Sequence, residues 1–425
     1  MRTALVRVLA IGVATALATA ACGGGASSTQ PSTPASVSTS VAPKASYAQG
    51  VTDTSIKIGV FAPFSGSAAA YSKAQKMTIA MLKDANEKGG VNGRKFDIVE
   101  SDDACDATTM QGIIRKFAEQ DRVFFIYGGS CSNAIVASRD VIEKSNIPVL
   151  TANAASGFIT TPPLKNLFQP KPTSDESAMA IAAFMKSNVG AKRIGIIGQS
   201  DEIGQTQAKA VLADLQKVGL EVVTNEQIAP DAGDSTAQVR KLIGAKPDMI
   251  MAALYPQPMS VFLRDANKQG LNVPVVTSDI ARPDEQVDRL KSREPVKNFF
   301  AFTNILKPIN DPSFKRYSDS YVKYYPNDKF DGVAAEGAIY GDVILQLVAK
   351  LGSDLTWDNW IKAMETTQFQ TTVGGTLSFK AFDKANPLTR RATKDTAFQV
   401  LDPSKTDSTI TTVKDWSEWQ KIAPK

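Results

Sequence analysis

The 425-residue sequence contains no histidine. This absence excludes Ser-His-Asp and Cys-His catalysis, and it also excludes zinc or iron sites with imidazole ligands. A GxxxxGK[ST] phosphate loop is missing as well. The segment nearest to a GxSxG nucleophile elbow, residues 198–202 (GQSDE), has a glutamate in place of the closing glycine. We therefore expect a protein that is not an enzyme and that has no cofactor and no metal site.

A strong charge of either sign is also lacking. The formal net charge of +5 falls to +3 when Arg2 and Arg7, which belong to the predicted signal described below, are not counted. No basic run with interleaved aromatic residues occurs, so the sequence offers no surface of the kind that binds nucleic acid. We expect no nucleic-acid partner.

The first 22 residues have the features of a secretory signal. Residues 1–7 are basic, residues 8–17 are apolar but too few to span a membrane, and small residues lead to Cys22. The stretch from Leu17 to Cys22 resembles the lipobox of bacterial lipoproteins, in which the cysteine is diacylated, although Thr19 stands where an aliphatic residue is usual. The sequence predicts a signal peptide over residues 1–21 and a lipid anchor at Cys22, with plain cleavage beside Cys22 as the alternative.

Residues 22–54 form a second distinct region. This stretch is rich in Gly, Ser, Thr, Ala and Pro, a composition that cannot bury enough apolar surface to fold, so it is predicted to be a flexible tether. After Ser55 the composition is globular, and no later apolar run approaches the about 18 residues that a membrane span needs. We expect an extracytoplasmic protein at the outer face of the cytoplasmic membrane, with two domains because roughly 370 residues exceed one core.

From Ser55 onward, strand-like apolar runs alternate with amphipathic helical segments, which is typical of parallel sheets covered on both faces. The first set comprises strands over 56–61, 96–99, 123–127 and 147–150 and helices over 75–87, 109–118 and 133–144. The pattern restarts with helices over 177–187, 206–218, 237–243 and 261–268 and strands over 193–197, 222–223, 249–252 and 274–276. An apolar stretch over 299–302, helices over 314–325, 333–350 and 357–366, and an extended segment over 374–379 follow. The sequence thus predicts an α/β protein with two doubly wound, Rossmann-like parallel-sheet lobes.

Four short segments, by their order and spacing, resemble the bacterial leucine/isoleucine/valine-binding proteins, the branched-chain amino-acid branch of type I substrate-binding proteins. They are Phe64-Ser65-Gly66 followed by Tyr71, Asn86 to Gly93, Asp102 to Asp106, and Gly129 to Ser132. The similarity runs from about Ser55 to the C-terminus. It implies a type I periplasmic-binding fold whose two lobes are joined by a three-strand hinge and close on a ligand.

The resemblance also implies boundaries and a disulfide. The three crossings are expected at 168–170, 299–302 and 376–379, so that the first lobe comprises 55–168 plus 303–375 and the second 169–302 plus 376–425. Cys105 and Cys131 are expected to form a disulfide, which suits an oxidising compartment. Two buried thiols are the alternative.

Loops at the carboxyl ends of the strands are predicted to carry the site, because helix N-termini there present free N–H groups. Ser132 follows a strand and opens a helix, so its hydroxyl suits a ligand carboxylate; an ordinary N-cap serine is the alternative. Asn153, Ala155 and Ser156 follow the next strand and match binding positions of the family. Ala155 stands where amino-acid binders have a threonine, so Ser156 is the candidate to replace that hydroxyl.

The second lobe contributes three further positions that match the family's site. Asp279 matches the acidic residue that pairs with a ligand ammonium, with a turn aspartate as the alternative. Tyr255 corresponds to an aromatic residue that contacts ligand, and Ile203 stands where several relatives have a tyrosine. In the first lobe, Tyr71 and Phe64 are candidates for an apolar wall, although a single aromatic residue is more often core than contact.

These positions together predict a lipid-anchored, monomeric substrate-binding protein of an ABC importer, with a permease and a cytoplasmic ATPase as partners. Its ligand is expected to be an amino acid or a similar small polar or carboxylate molecule. Amides, urea and aromatic acids are alternatives because of Ala155 and Ile203, and a sensor that serves a signalling partner would use the same pocket. A secreted α/β enzyme is the remote alternative, for which Asp102 and Asp103 are the candidate carboxylate pair.

Overall fold

A computed structural model describes residues 47–66, 68–401 and 408–415 of the chain. The predicted signal peptide, Cys22 and the tether up to residue 46 lie outside the described residues. The strands are β1 Ser55–Ala62, β2 Lys95–Asp102, β3 Phe125–Gly128, β4 Val149–Thr151, β5 Leu167–Phe168, β6 Arg193–Gln199, β7 Glu221–Ile228, β8 Met249–Ala253, β9 Val275–Thr277, β10 Phe299–Thr303, β11 Gln368–Thr371, β12 Gly375–Ser378, β13 Thr393–Leu401 and β14 Ser408–Asp415. The helices are α1 Lys73–Glu87, α2 Ala107–Glu119, α3 Ser132–Ala137, α4 Arg139–Ser145, α5 Ser174–Phe184, α6 Glu202–Lys217, α7 Thr236–Ala245, α8 Pro256–Lys268, α9 Pro283–Leu290, α10 Lys315–Tyr324, α11 Gly332–Leu351 and α12 Trp357–Thr366.

The first sheet has the strand order β2-β1-β3-β4-β5, and all its neighbouring strands are parallel. Strands β1, β3, β4 and β5 are short apolar runs that are largely buried, as parallel strands between helices require, whereas the edge strand β2 is partly exposed. The single helix predicted over 133–144 is two helices, because the chain breaks at Ser138, whose hydroxyl donates to the carbonyl oxygen of Ala134 at 2.7 Å. This break makes α3 only six residues long.

The second sheet is mixed rather than wholly parallel. Strands β7, β6, β8, β9 and β10 are parallel neighbours, and β13, β12 and β11 extend the sheet with antiparallel pairings beyond β10. β14 pairs with β13, also antiparallel. The sequence did not predict β11, β13, β14 or the helix α9. The α/β class with two sheets is confirmed, and the antiparallel extension is an addition to it.

Helix α11 forms the centre of the first lobe's core. It packs along α1 so closely that a Cβ atom on Gly337 would lie 2.0 Å from the carbonyl oxygen of Ala74. The hydroxyl of Thr78 donates to the carbonyl oxygen of Gly337 at 2.9 Å. Among the described helices, α11 is long and apolar enough to cross a membrane, but 72% of its apolar window is buried inside the protein. Its apolar character is that of a core helix.

The segment predicted as the third crossing contacts both parts of the structure. Leu377 and Phe379 pack in the core of the first sheet, where the ring of Phe379 meets that of Phe168 at 5.1 Å. Residues 380–392 then lead from β12 to β13, and the backbone of Gln169 pairs with Arg390 and Ala392 on the way. Strand β12 thus pairs with β13 of the second sheet while its apolar side chains lie in the first core, and the predicted crossing at 376–379 stays a prediction. The other lobe boundaries stay a prediction.

The folded part begins before residue 55. The amide of Ala48 donates to the carbonyl oxygen of Leu355 at 3.0 Å. The side chain of Gln49 donates to the carbonyl oxygen of Val123 at 3.1 Å. Gly50 has a φ of 75°, and a Cβ there would lie 2.5 Å from the amide nitrogen of Phe124. Residues 47–54 are thus packed on the first lobe rather than part of a tether. Glycine at position 50 allows the backbone of this segment to lie close to the backbone of Phe124.

The expected disulfide is present. Cys105 and Cys131 are bonded, with their Cα atoms 5.4 Å apart. The bond joins the loop before α2 to the residue that precedes Ser132 at the start of α3. It therefore ties the predicted site loop after β3 to the loop after β2, two strands that have β1 between them in the sheet.

Candidate functional site

The first lobe brings two of the predicted serines together. Ser132 is the first residue of α3, and its hydroxyl oxygen accepts from the backbone amide of Ser156 at 3.2 Å. Cys131 occupies the N-cap position, so Ser132 is not the ordinary N-cap that was the alternative. The hydroxyl oxygen of Ser156 accepts from the amide of Phe158 at 3.2 Å and caps a short turn. The hydroxyl proton of Ser132 therefore remains available to a ligand oxygen.

Ala155 and Asn153 are occupied by contacts within the protein. The carbonyl oxygen of Ala155 accepts from the amide of Ser174 at 2.8 Å, which fixes the first lobe's loop to the start of α5. The side-chain amide of Asn153 donates to Oε2 of Glu336 at 2.8 Å, and the Asn153 side-chain oxygen is buried without a partner among the described residues. Asn153 thus positions Glu336, a residue that the sequence analysis missed.

Two predicted aromatic residues meet across the lobes. The side chains of Tyr71, from the first lobe, and Tyr255, from the second, interact, and burial together with this interaction raises the pKa of Tyr255. The backbone amide of Tyr255 donates to Oε1 of Gln199 at 2.6 Å, and Nε2 of Gln199 donates to Asp201 at 2.9 Å. Ile203 lies in the first turn of α6, and its side chain is outside the described part of the structure. Phe64 packs against the first core.

Asp279 follows β9, as predicted, and its carboxylate is paired with a lysine of the protein. Nζ of Lys171 lies 2.5 Å from Oδ2 of Asp279 and 2.8 Å and 3.1 Å from the two carboxylate oxygens of Glu336. Burial alone would lower the pKa of Lys171, but the negative charges of Asp279 and Glu336 raise it above its ordinary value. Lys171 is therefore a permanent cation between the two lobes.

A second buried lysine lies beside this pair. Lys394 is 4% exposed, and its Nζ donates to the Asn304 side-chain oxygen at 2.9 Å when that amide is oriented so that its nitrogen donates to Glu336 at 3.0 Å. Burial lowers the pKa of Lys394 to about 7, although the charge of Glu336 opposes this shift. We call Lys171, Asp279, Glu336 and Lys394 the hinge cluster.

The sequence contained partial signals for the hinge cluster. Lys171 stands between two prolines just after a predicted crossing, and Glu336 is a lone charge in the first turns of an apolar helix. Both are places where a charged side chain has a specific task. Lys394 carried no such signal, because its burial results from the return of β13 beside β10.

The carboxylate pair considered for an enzyme has a structural task instead. Asp102 accepts from the amides of Phe64 and Ala104, each at 2.9 Å, and Asp103 accepts from the amide of Cys105 at 2.8 Å. Burial raises the pKa of Asp103 to about 6. The two carboxylates hold the loop that leads into the disulfide.

The chain forms two α/β units with parallel strands, and three passages of the chain connect these units. A polar site lies beyond the ends of the strands. These features define the type I class of periplasmic-binding proteins. Residues 55–402 match the periplasmic binding protein family, and the chain belongs to this family. The Leu/Ile/Val-binding protein of Escherichia coli K12 is 28% identical over 218 residues, which are 51% of this chain and 59% of that protein. The chain spans about three fifths of the length of the curated relatives it matches.

Solved structures show the same fold. A branched-chain amino acid transporter substrate binding protein from Streptococcus pneumoniae, in complex with isoleucine, has a TM-score of 0.65 at 20% identity and covers 84% of this chain and 99% of its own. A solute binding protein from Rhodopseudomonas palustris in complex with benzoate has a TM-score of 0.65 at 16% identity. The match covers 84% of this chain and 96% of that protein's chain. The predicted fold class and the resemblance to leucine/isoleucine/valine-binding proteins are confirmed. The named relatives are binding proteins of transporters and not enzymes.

Proposed function

We propose that this chain is the extracytoplasmic receptor of an ABC importer and binds a small carboxylate ligand, an amino acid or a related acid, between its two lobes. The observation that carries the proposal is the convergence of predicted positions from both lobes. Tyr71 meets Tyr255, and Asp279 meets the first lobe's Glu336 through Lys171. A ligand held by both lobes would favour the closed arrangement that a permease recognises.

In this proposal the first lobe holds the ligand carboxylate. The Ser132 hydroxyl donates to a carboxylate oxygen, while the Ser156 amide keeps the Ser132 oxygen oriented. Tyr71 and Tyr255 cover the ligand from opposite sides. The remaining parts of the proposal are a lipid anchor at Cys22, a permease with its ATPase as partners, and a monomeric state.

The site is tested by replacing one hydroxyl. Ser132→Ala should weaken the binding of a carboxylate ligand by about 1 to 3 kcal/mol, roughly 5- to 150-fold in Kd, because a hydrogen bond to a charged group is lost. The ligand is first found by a thermal-shift screen of amino acids, amides, urea and aromatic acids, and Kd is then measured by calorimetry. Ser318→Ala, on α10, is the matched control and should leave Kd unchanged. Equal affinity of wild type and Ser132→Ala would remove Ser132 from the site.

Reconstitution tests the partner. In vesicles that contain the permease and its ATPase, the ligand-loaded protein should stimulate ATP hydrolysis and ligand uptake. Binding without any stimulation would favour the sensor alternative. Conversion of the ligand by the purified protein would revive the enzyme alternative. A screen that yields only amides, urea or aromatic acids would keep the receptor and change its ligand class, since solved proteins of this fold include one in complex with benzoate.

A further inference from the structure

Lys171 occupies the place where the resemblance predicts a ligand ammonium. Asp279 follows β9, and the resemblance predicts that an acidic residue at this position pairs with the α-ammonium of an amino acid. In this chain its Oδ2 lies 2.5 Å from Nζ of Lys171, an alkylammonium that belongs to the protein. The same Nζ lies 2.8 Å from Oε1 of Glu336. Both carboxylates therefore already have a cation at contact distance.

The lysine is held where it is. Its neighbours in sequence are Pro170 and Pro172, whose rings restrict the backbone, and its side chain is 13% exposed. To vacate Asp279, the Lys171 ammonium would have to give up its bonds to both carboxylates and leave a buried position. A ligand ammonium that replaced it would at best restore the same contacts, so the exchange offers no net gain.

The carboxylates around Asp279 already have cationic partners within the protein. Nζ of Lys171 contacts both Asp279 and Glu336, and beside them Arg391 lies 3.6 Å from Glu176. A further ammonium would meet the buried cation Lys171 and no unpaired carboxylate within this group. A ligand without an ammonium does not incur this repulsion.

We propose that Lys171 is a specificity-determining residue that selects carboxylates lacking an α-ammonium over the corresponding amino acids. This inference rests on the proposed function, since it concerns the ligand of the same site. The ligand class is a small monocarboxylic acid whose carboxylate is held by the first lobe and whose remaining part is uncharged. Lys171 acts by satisfying Asp279 from within the chain.

The test compares matched ligands that differ only in the amine. Leucine is compared with 4-methylpentanoate and phenylalanine with 3-phenylpropanoate, each by calorimetry on the wild-type protein. We expect the amine-free acid to bind at least tenfold tighter in the pair whose side chain fits. If Asp279 instead held a ligand ammonium, loss of the amine would weaken binding roughly 30-fold or more.

The outcomes separate the inference from the function on which it rests. Equal or tighter binding of the amino acid would overturn the role of Lys171 and leave the receptor function standing, with Asp201 beside Tyr255 as the next candidate for the ammonium. Failure of both members of both pairs would contradict the inference, and failure of the whole screen would contradict the receptor function.

Variants provide a second measurement. Lys171→Met should shift the affinity ratio at least tenfold toward the amino acid, because Asp279 then lacks its cation, whereas Lys171→Arg should keep the wild-type preference. Lys116→Met is the matched control, since Lys116 pairs with Asp121 on the surface at 2.6 Å, and its ratio should not change. An unchanged ratio in a folded Lys171→Met protein would overturn the inference. If Lys171→Met does not fold, the wild-type pairs decide alone.

Discussion

Lys394 illustrates at the scale of a single residue how burial competes with charge. In the unfolded chain a lysine is protonated up to a pKa of about 10.4. In the folded protein burial lowers the pKa of Lys394 to about 7, although Glu336 and Asp279 lie nearby. Between these two pH values the unfolded state binds one proton more than the folded state. Raising the pH therefore opposes unfolding, and the stability contributed by this residue increases from pH 7 to pH 10.

The direction of this pH dependence can be measured by comparing the free energy of unfolding of the wild-type protein with that of a variant that lacks the lysine. The free energy of unfolding of wild type minus that of Lys394→Met should rise with pH between 7 and 10, with a slope that approaches about 1.4 kcal/mol per pH unit. Urea titrations at several pH values give both quantities. The same difference taken with Lys350→Met, an exposed lysine of α11, should be flat. A flat difference for Lys394→Met as well would mean that Lys394 stays protonated in the folded protein.

At the scale of elements, the disulfide organises the edge of the first sheet that carries the site. Cys105 belongs to the loop before α2, and Cys131 is the N-cap of α3. Helix α3 has only six residues, too few to be stable without support from its surroundings. The bond therefore fixes the start of α3 and, with it, the position of Ser132.

Removal of this bond should affect stability and binding together. Cys105→Ala/Cys131→Ala is expected to lower the free energy of unfolding by about 3.5 kcal/mol, because the bond closes a loop with a sequence separation of 26 residues. Ligand affinity should fall as well, since Ser132 is less fixed. Denaturant unfolding and calorimetry measure the two effects, and wild type with a reductant should match the variant. A variant as stable as wild type would show that the loop is held by Asp102 and Asp103 alone.

At the scale of the whole molecule, one arginine fixes the segment that leads from β12 to β13. Arg390 is fully buried, lies over the ring of Phe168 at 4.4 Å and pairs with Glu365 at 2.7 Å. It also donates to the carbonyl oxygens of Leu164 and Lys165. The next residue, Arg391, contacts Glu176 of α5. Arg391 also donates to the hydroxyl of Thr160 and to the carbonyl oxygen of Gly157, so the two adjacent arginines fix this connection to several segments of the chain.

Loss of the Arg390 charge should destabilise the whole protein. Arg390→Met is expected to lower the free energy of unfolding by about 3 to 5 kcal/mol, because Glu365 and several carbonyl groups lose their buried partner. The exposed Arg240→Met of α7 is the control and should change it by less than about 0.5 kcal/mol. Urea unfolding of both variants provides the comparison. A small effect of Arg390→Met would mean that Phe168 and Phe379 hold the connection without the charge.

Local patterns account for the elements that were predicted. The apolar run at β1 and the amphipathic period of α1 lie within one segment each, so sequence alone predicts them. The break at Ser138 and the helix α9 were missed because the first depends on a local side-chain hydrogen bond and the second is a short, strongly charged segment. β13 was missed because a strand that pairs antiparallel with β10 is recognised only by its partner, about a hundred residues earlier.

The sequence by itself determined the fold class, the family and the cysteine pair, and it proposed the positions of the candidate site, because all of these depend on local periodicity and on short motifs in a fixed order. Only the tertiary structure decided what those positions contact. The sequence shows that Asp279 is an acidic residue at the end of a strand. Only folding places Lys171 and Glu336 beside it, from two other segments of the chain. The strength of a charge interaction depends on distance and burial, and both are properties of the folded chain that no single segment contains.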